Sequence, residues 1–160
     1  MTTTARPPVI VGAGPAGVRA AQALVAHGLR PVVIDEAARA GGQIYRRPPA
    51  NFVERAAATL YGFEAARANA VHAAFDGLRD RIDHRPDSLV WNAQGGVLDV
   101  LHGPTRSPAR VPHGPLIVAT GATDRVLPLP GWTLPGVYTL GGAQVALKFQ
   151  GCTIGRNVVL

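Results

Sequence analysis

The stretch VIVGAGPAGVRAAQALVAHGLRPVVIDE, Val9 to Glu36, decides the fold of this 160-residue chain. Short apolar runs at residues 8–12 and 31–34 are rich in β-branched side chains, which is typical of buried parallel strands. Between them, Leu24, Val25 and several alanines recur at helical intervals, and Gly28 stands where a helix C-cap is expected. The stretch therefore predicts a strand, a tight turn, a helix and a second strand.

The turn after the first strand carries Gly12, Gly14 and Gly17 in the spacing GxGxxG. The first glycine allows the tight turn, the second lets a pyrophosphate approach the backbone, and the third lets the helix pack closely on the strand. Pro15 and Ala16 open the helix, whose first N–H groups would face the phosphates. This pattern predicts a dinucleotide-binding site.

The second strand ends at an acidic pair, Asp35 and Glu36. We expect the Asp35 carboxylate to accept hydrogen bonds from the ribose hydroxyls, with Glu36 as its neighbour at the site. An acidic residue at this tip disfavours the 2′-phosphate of NADP, but it does not separate NAD from FAD. The identity of the dinucleotide stays open at this point.

Composition excludes several other classes of protein. A hydrophobic content of 47% with 16% charged residues is typical of a globular domain and not of a disordered chain. The net charge of +6 comes from scattered arginines, so we expect a solvated surface and no nucleic-acid partner. Cys152 is the single cysteine, which excludes an internal disulfide and favours a reducing, cytoplasmic location. No apolar run reaches the roughly eighteen residues of a membrane span, so no direct membrane insertion is expected.

Three further segments extend the predicted α/β unit. Residues 64–82 place Val71, Phe75, Leu78 and Ile82 on one face of a helix, as core packing requires. Alternating runs at residues 89–93, 96–102 and 107–113 predict a small antiparallel meander. The run LIVAT at residues 116–120 predicts another buried strand, closed by Gly121. The expected fold is thus a Rossmann-like domain with a central parallel sheet, a crossover helix and an inserted β-meander.

The motifs AGGQ (residues 40–43) and ATG (residues 119–121) resemble those of the two-dinucleotide-binding flavoprotein superfamily, which includes the pyridine nucleotide-disulfide oxidoreductases. The resemblance implies FAD at the first site, with Gly42 and Gln43 in a second FAD-contacting loop. It also implies that Thr120 and Gly121 pass beside the cofactor. A second, nicotinamide-type unit that could bind NAD(P) would follow this chain.

The segments GGQIYRRP, LVWNA and ATGATDRVLPLPGWTLPGVYTLGGAQ are similar to those in FAD subunits of heteromeric amine-oxidising enzymes. These enzymes are opine oxidase, D-hydroxyproline dehydrogenase, hydrogen cyanide synthase and the sarcosine oxidase α chain. The resemblance implies oxidation of a carbon–nitrogen bond in an amino-acid-like or opine-like substrate, with other subunits as partners. Two alternatives stay open: an NAD(P)H-dependent flavin reductase and a non-catalytic FAD- or nucleotide-binding subunit.

We therefore expect an N-terminal fragment with an FAD-binding domain at residues 1–130, a crossover at residues 131–152 and the first strand of a second domain at residues 153–160. The sequence identifies no catalytic acid or base and no metal site. Among single residues, we expect Cys152 to be a small buried hydrophobic residue and Trp91 and Trp132 to pack in the core or at a domain interface. We expect Arg46 and Arg47 to form an exposed basic pair in a loop.

Overall fold

A computed structural model describes residues 6–52 and 55–159 of the chain. Two short 3₁₀ helices, Gly62–Glu64 and Arg79–Arg81, flank the third α-helix. The remaining elements follow in the order β1 (Val9–Val11), α1 (Pro15–Ala26), β2 (Val32–Ile34), α2 (Ala57–Tyr61), α3 (Ala65–Asp76), β3 (Asp83–Arg85), β4 (Ser88–Gln94), β5 (Val97–His102), β6 (Ser107–Pro112), β7 (Leu116–Val118) and α4 (Leu140–Lys148).

The centre of the fold is a parallel sheet of four strands in the order β3-β2-β1-β7. Side chains alternate between its two faces, so Ile10 and Val33 point to one side and Val9 and Val32 to the other. Helices α1 and α3 cover the first face, and the four apolar residues predicted to share a face of residues 64–82 are all buried in that cluster. The predicted α/β fold with a parallel sheet is confirmed.

The predicted antiparallel meander is also confirmed, as strands β4-β5-β6. Its buried residues Leu98, Val100 and Val111 pack against Val9 and Ile34 on the second face of the parallel sheet. The meander therefore covers a face that would otherwise expose apolar side chains to water. With both faces covered, the sheet can hold loops rigidly at the carboxyl ends of its strands.

Two strands differ from what the sequence predicted. Strand β7 lies at the edge of the sheet and is only partly buried, with Val118 67% exposed, because β1 is its only partner in the described sheet. Strand β3 was not predicted, because Asp83, His84 and Arg85 contain no apolar residue. Its position follows instead from parallel pairing with β2, a contact that local sequence does not reveal.

The end of the chain also differs from expectation. Helix α4 lies within the predicted crossover at residues 131–152. Residues 152–159 form no strand, and Leu160 lies outside the described residues. An isolated strand has no partner for its backbone groups and no sheet face to bury, so its sequence pattern is not enough to form it. Cys152 is exposed, so the prediction that it is buried is wrong. Trp91 and Trp132 are also exposed, so neither packs in the core, and their place at a domain interface stays a prediction.

A histidine on β3, His84, packs against Phe75 in the apolar cluster under helices α1 and α3. The ring of His84 meets the ring of Phe75 edge-on at 4.8 Å, and its Nε2 atom is buried without a hydrogen-bond partner among the described residues. Burial lowers the pKa of His84 below its ordinary 6.5, against the opposing charges of nearby aspartates. Burial lowers the pKa of His72 on α3 in the same way.

These two histidines should make the fold less stable in mild acid. Because each pKa is lowered on folding, the unfolded chain binds more protons below about pH 6.5, and stability falls as the pH decreases through that range. Thermal unfolding between pH 7.5 and pH 5 should show this loss, and His84→Phe should reduce it. An equal loss in the wild type and the variant would exclude His84 as a contributor.

Candidate functional site

Three loops converge at the carboxyl edge of the parallel sheet: the glycine loop (residues 12–17), the GGQ turn (residues 41–46) and the ATG turn (residues 119–121). The Gly12 N–H donates to Ile34 O at 2.8 Å, and the Ala119 N–H donates to Val11 O at 2.8 Å. A Cβ added to Gly12, whose φ is +104°, would lie 2.2 Å from Ala119 O and 3.2 Å from the Thr120 nitrogen. The glycine loop and the ATG turn are thus in direct backbone contact.

The glycine loop also touches the GGQ turn. The Gly41 N–H donates to Ala13 O at 2.9 Å, and a Cβ added to Gly42 would lie 2.8 Å from the Cα of Gly14. The φ of Gly42 is +63°, which also favours glycine. The two glycines form a bare backbone surface where the loops meet, as the close approach of a pyrophosphate requires, and a side chain on Gly42 would push the loops apart.

The N-terminus of α1 opens onto this surface. Gly14 is the N-cap in an extended conformation, Pro15 is the first helical residue, and no acidic residue occupies the first turn. A Cβ on Gly17 would lie 1.8 Å from Gly12 O, so only glycine lets the helix start this close to β1. The exposed Ala16 leaves the first turn open. Unpaired N–H groups at such an end attract phosphate.

Asp35 has a second role that the sequence did not reveal. Its half-buried carboxylate accepts hydrogen bonds from the Ala13 N–H, within the glycine loop, and from the Ala37 N–H at 2.7 Å. A carboxylate has about four acceptor positions, so two remain for ribose hydroxyls. Glu36 is exposed beside it. Asp35 therefore fixes the glycine loop in addition to its predicted ribose contact.

The remaining predicted residues lie at the rim of the site. Thr120 and Gly121 are exposed, and a Cβ on Gly121 would meet no atom within 4 Å. Gln43 is exposed and lines a cavity of about 180 Å³. The other lining residues come from the GGQ turn, from the segment after the ATG turn and from α4: Arg46, Thr123, Asp124, Gly141, Gln144 and Val145. Hydrogen bonds from Thr139 and the Gly141 N–H lower the pKa of Asp124. Asp124 thereby contributes to the cap of α4.

The pair Arg46–Arg47 differs from the prediction of an exposed basic pair. The Arg47 side chain is only 11% exposed, and its guanidinium pairs with Asp76 on α3 at 3.0 Å. The Arg46 guanidinium lies 5.9 Å from the centroid of the Phe149 ring. Both side chains thus hold the segment that follows the two glycines against neighbouring elements.

Lys148 is a residue of this region that the motifs did not indicate. Its ammonium group donates to Ile44 O in the GGQ turn at 2.7 Å. A simple signal in the sequence marks it, because Lys148 is the only lysine in a chain that otherwise uses arginine.

Metal-binding and membrane-spanning features are missing from the described part of the chain. Within residues 6–52 and 55–159, no three His, Cys, Asp or Glu side chains converge as metal ligands would. Over the same ranges, no helix has the length and apolar character needed to cross a bilayer.

Comparison with known families decides the class of the chain. The model of the pyridine nucleotide-disulphide oxidoreductase family matches residues 7–150, which include all three loops of the site. This chain belongs to that family. It is an FAD-binding domain, as the motifs AGGQ and ATG implied.

Two named relatives are similar to this chain over most of its length. The chain is 38% identical to an opine oxidase subunit of Agrobacterium tumefaciens over 159 residues, covering 95% of this chain and 31% of the relative. It is 41% identical to the hydrogen cyanide synthase subunit HcnB of Pseudomonas protegens over 142 residues, covering 88% of this chain and 30% of the relative. The chain therefore spans about a third of the length of these relatives.

Solved structures support the fold. L-proline dehydrogenase from P. horikoshii superposes with a TM-score of 0.73 at 20% identity, covering 96% of this chain and 30% of that one. The flavoprotein disulfide reductase RclA from Escherichia coli superposes with a TM-score of 0.57 at 27% identity, covering 84% of this chain and 33% of that one. The first likeness shows a shared fold only.

Proposed function

We propose that this chain holds FAD in an enzyme complex that oxidises a carbon–nitrogen bond of an amino-acid-like or opine-like small molecule. The observation that carries the proposal is the bare backbone surface where Gly14 and Gly42 meet, at the open N-terminus of α1. Relatives at 38% and 41% identity are named as subunits of opine oxidase and hydrogen cyanide synthase. These names support a substrate with a carbon–nitrogen bond and a heteromeric complex.

Each loop has a distinct part in the proposed site. Gly12, Gly14, Pro15 and Ala16 would present backbone to the pyrophosphate, and Asp35 would bind the adenosine ribose with Glu36 beside it. Gly42 and Gln43 would border the pyrophosphate and flavin from the second loop, and Thr120 and Gly121 from the third. FAD, when bound, would supply the electron acceptor for substrate oxidation, which no side chain can provide.

The proposed domain boundaries are an FAD-binding domain at residues 1–130, a crossover at residues 131–152 and the start of a second, NAD(P)-type unit at residues 153–160. We further propose a cytoplasmic location, which the single cysteine supports. The complete polypeptide would contribute the rest of the flavin pocket.

The absorption spectrum of the complete protein, purified with its accompanying subunits, tests this function. Addition of amino acids and opines without oxygen should bleach the flavin bands, whereas NADH and NADPH should not. Bleaching by NADPH alone would favour a flavin reductase. A flavin that no donor reduces would favour a non-catalytic role.

Cys152 provides a further check on the type of chemistry. A disulfide reductase needs two thiols, and this chain has one cysteine, which is exposed at the end of α4. Cys152→Ser should therefore leave substrate-dependent flavin bleaching unchanged in the complete protein. A complete loss of turnover in a correctly folded variant would indicate a thiol mechanism instead.

A further inference from the structure

Three consecutive carbonyl groups of the GGQ turn accept hydrogen bonds from side chains of three different helices. Ile44 O accepts from Lys148 of α4 at 2.7 Å. Tyr45 O contacts the Nε2 of His72 in α3 at 2.8 Å, and Arg46 O accepts from the Tyr61 hydroxyl in α2 at 3.0 Å. The turn is thus held by three helices in addition to its contact with the glycine loop.

Of these three donors, Lys148 links the most distant parts of the chain. It joins α4, which follows the ATG turn and the crossover, to a loop 104 residues earlier. Its ammonium group also lies 3.4 Å from Gln144 Oε1 and 5.9 Å from the centroid of the Tyr61 ring. A carbonyl, an amide oxygen and a ring face together replace part of the water that an ammonium group loses on burial.

The cost of burying this group indicates that its position is important to the fold. Lys148 is partly buried, and burial lowers the pKa of its ammonium group. Exposed cations on the same protein surface are arginines, whereas this one position uses the smaller, single-point donor. A single carbonyl acceptor suits a compact ammonium group better than a planar guanidinium, which is built for bidentate contacts.

We propose that Lys148 is a positioning residue for the cofactor site: it holds Ile44 O and so keeps Gly42 and Gln43 against the glycine loop. This inference rests on the proposed function, in which Gly42 and Gln43 border FAD. Lys148 acts through the GGQ turn and is not proposed to touch the flavin. It also makes the position of α4, and of whatever follows α4, a determinant of cofactor binding.

Substitution tests the proposal in the complete protein. Lys148→Met should raise the Kd for FAD about tenfold, the range expected for loss of one charged hydrogen bond. It should also change the visible circular dichroism of the remaining bound flavin. Lys148→Arg should recover part of the affinity, and Arg30→Met, at an exposed position by the amino end of β2, should change neither quantity.

A second measurement starts from the folded wild-type protein, so it does not depend on how a variant folds. Acetylation of Lys148, followed by peptide mapping, should be slower with FAD bound than in the apoprotein. The acetylated apoprotein should bind FAD about tenfold more weakly, as the Met variant does. Unchanged FAD affinity after the Lys148→Met substitution or after acetylation of Lys148 would overturn the role of Lys148 and leave the proposed function standing. A wild-type protein that binds no FAD would overturn the proposed function itself.

Discussion

The Gly12→Ala variant should lose about 3–5 kcal/mol of unfolding free energy and retain little FAD. Gly12 has a φ of +104°, and an added Cβ would lie 2.2 Å from Ala119 O. Neither the added Cβ nor Ala119 O can move away, because backbone hydrogen bonds fix Gly12 and Ala119 to the sheet. The Gly12 N–H donates to Ile34 O, and the Ala119 N–H donates to Val11 O. The strain and the steric clash therefore act together. Urea unfolding of the complete protein, with and without FAD, would measure the loss.

Gly28→Ala is the matched control for this experiment. Gly28 also has a positive φ, +76°, but an added Cβ would meet no atom within 4 Å. The unfolding free energy of Gly28→Ala should therefore fall only by what the left-handed conformation costs alanine, about 1–2 kcal/mol, and the variant should retain FAD. Equal losses in both variants would show that backbone strain alone acts at Gly12 and that contact with the ATG turn is unimportant.

Asp35→Ala should weaken FAD binding by about 2–4 kcal/mol, or roughly 30- to 1000-fold in Kd. The substitution removes the acceptor for the Ala13 N–H, which holds the glycine loop, together with the proposed ribose contacts. Two causes thus act in the same direction. Titration of the apoprotein with FAD, followed by flavin fluorescence, would measure the effect.

Two further variants separate those causes. Asp35→Asn keeps one acceptor oxygen for the loop and loses the charge, so it should lie between the wild type and Asp35→Ala. Glu36→Ala removes an exposed carboxylate and should change the Kd for FAD little. A large effect at Glu36 with none at Asp35 would move the ribose contact to Glu36.

The sequence predicted those elements whose apolar pattern is local. The first two strands, α1, the meander and the buried face of residues 64–82 follow from periodicity and glycine spacing, and all are present. Strand β3 was missed because its residues Asp83–Arg85 are polar and its existence depends on pairing with β2. The strand expected at residues 153–160 is absent from residues 153–159 for the opposite reason. Its pattern is apolar, but no described strand pairs with it.

The same distinction applies to the site. The glycine positions could be predicted, because a side chain would prevent the loops from touching and the sequence therefore has glycine there. The second role of Asp35, the Arg47–Asp76 pair and the contact between Lys148 and Ile44 could not be predicted. Each joins residues that are distant in sequence, and only the tertiary fold brings them together.

The central claim is that FAD binds where the glycine loop and the GGQ turn meet. The most direct test is to count the FAD released on denaturation by the complete protein with and without Gly42→Val. A valine there would combine a φ of +63° with a Cβ 2.8 Å from the Cα of Gly14, and so push the GGQ turn away from the glycine loop where the pyrophosphate is proposed to bind. We expect the variant, compared at a temperature at which circular dichroism shows it to be folded, to release one FAD fewer per copy of this chain. An unchanged FAD content would contradict the claim.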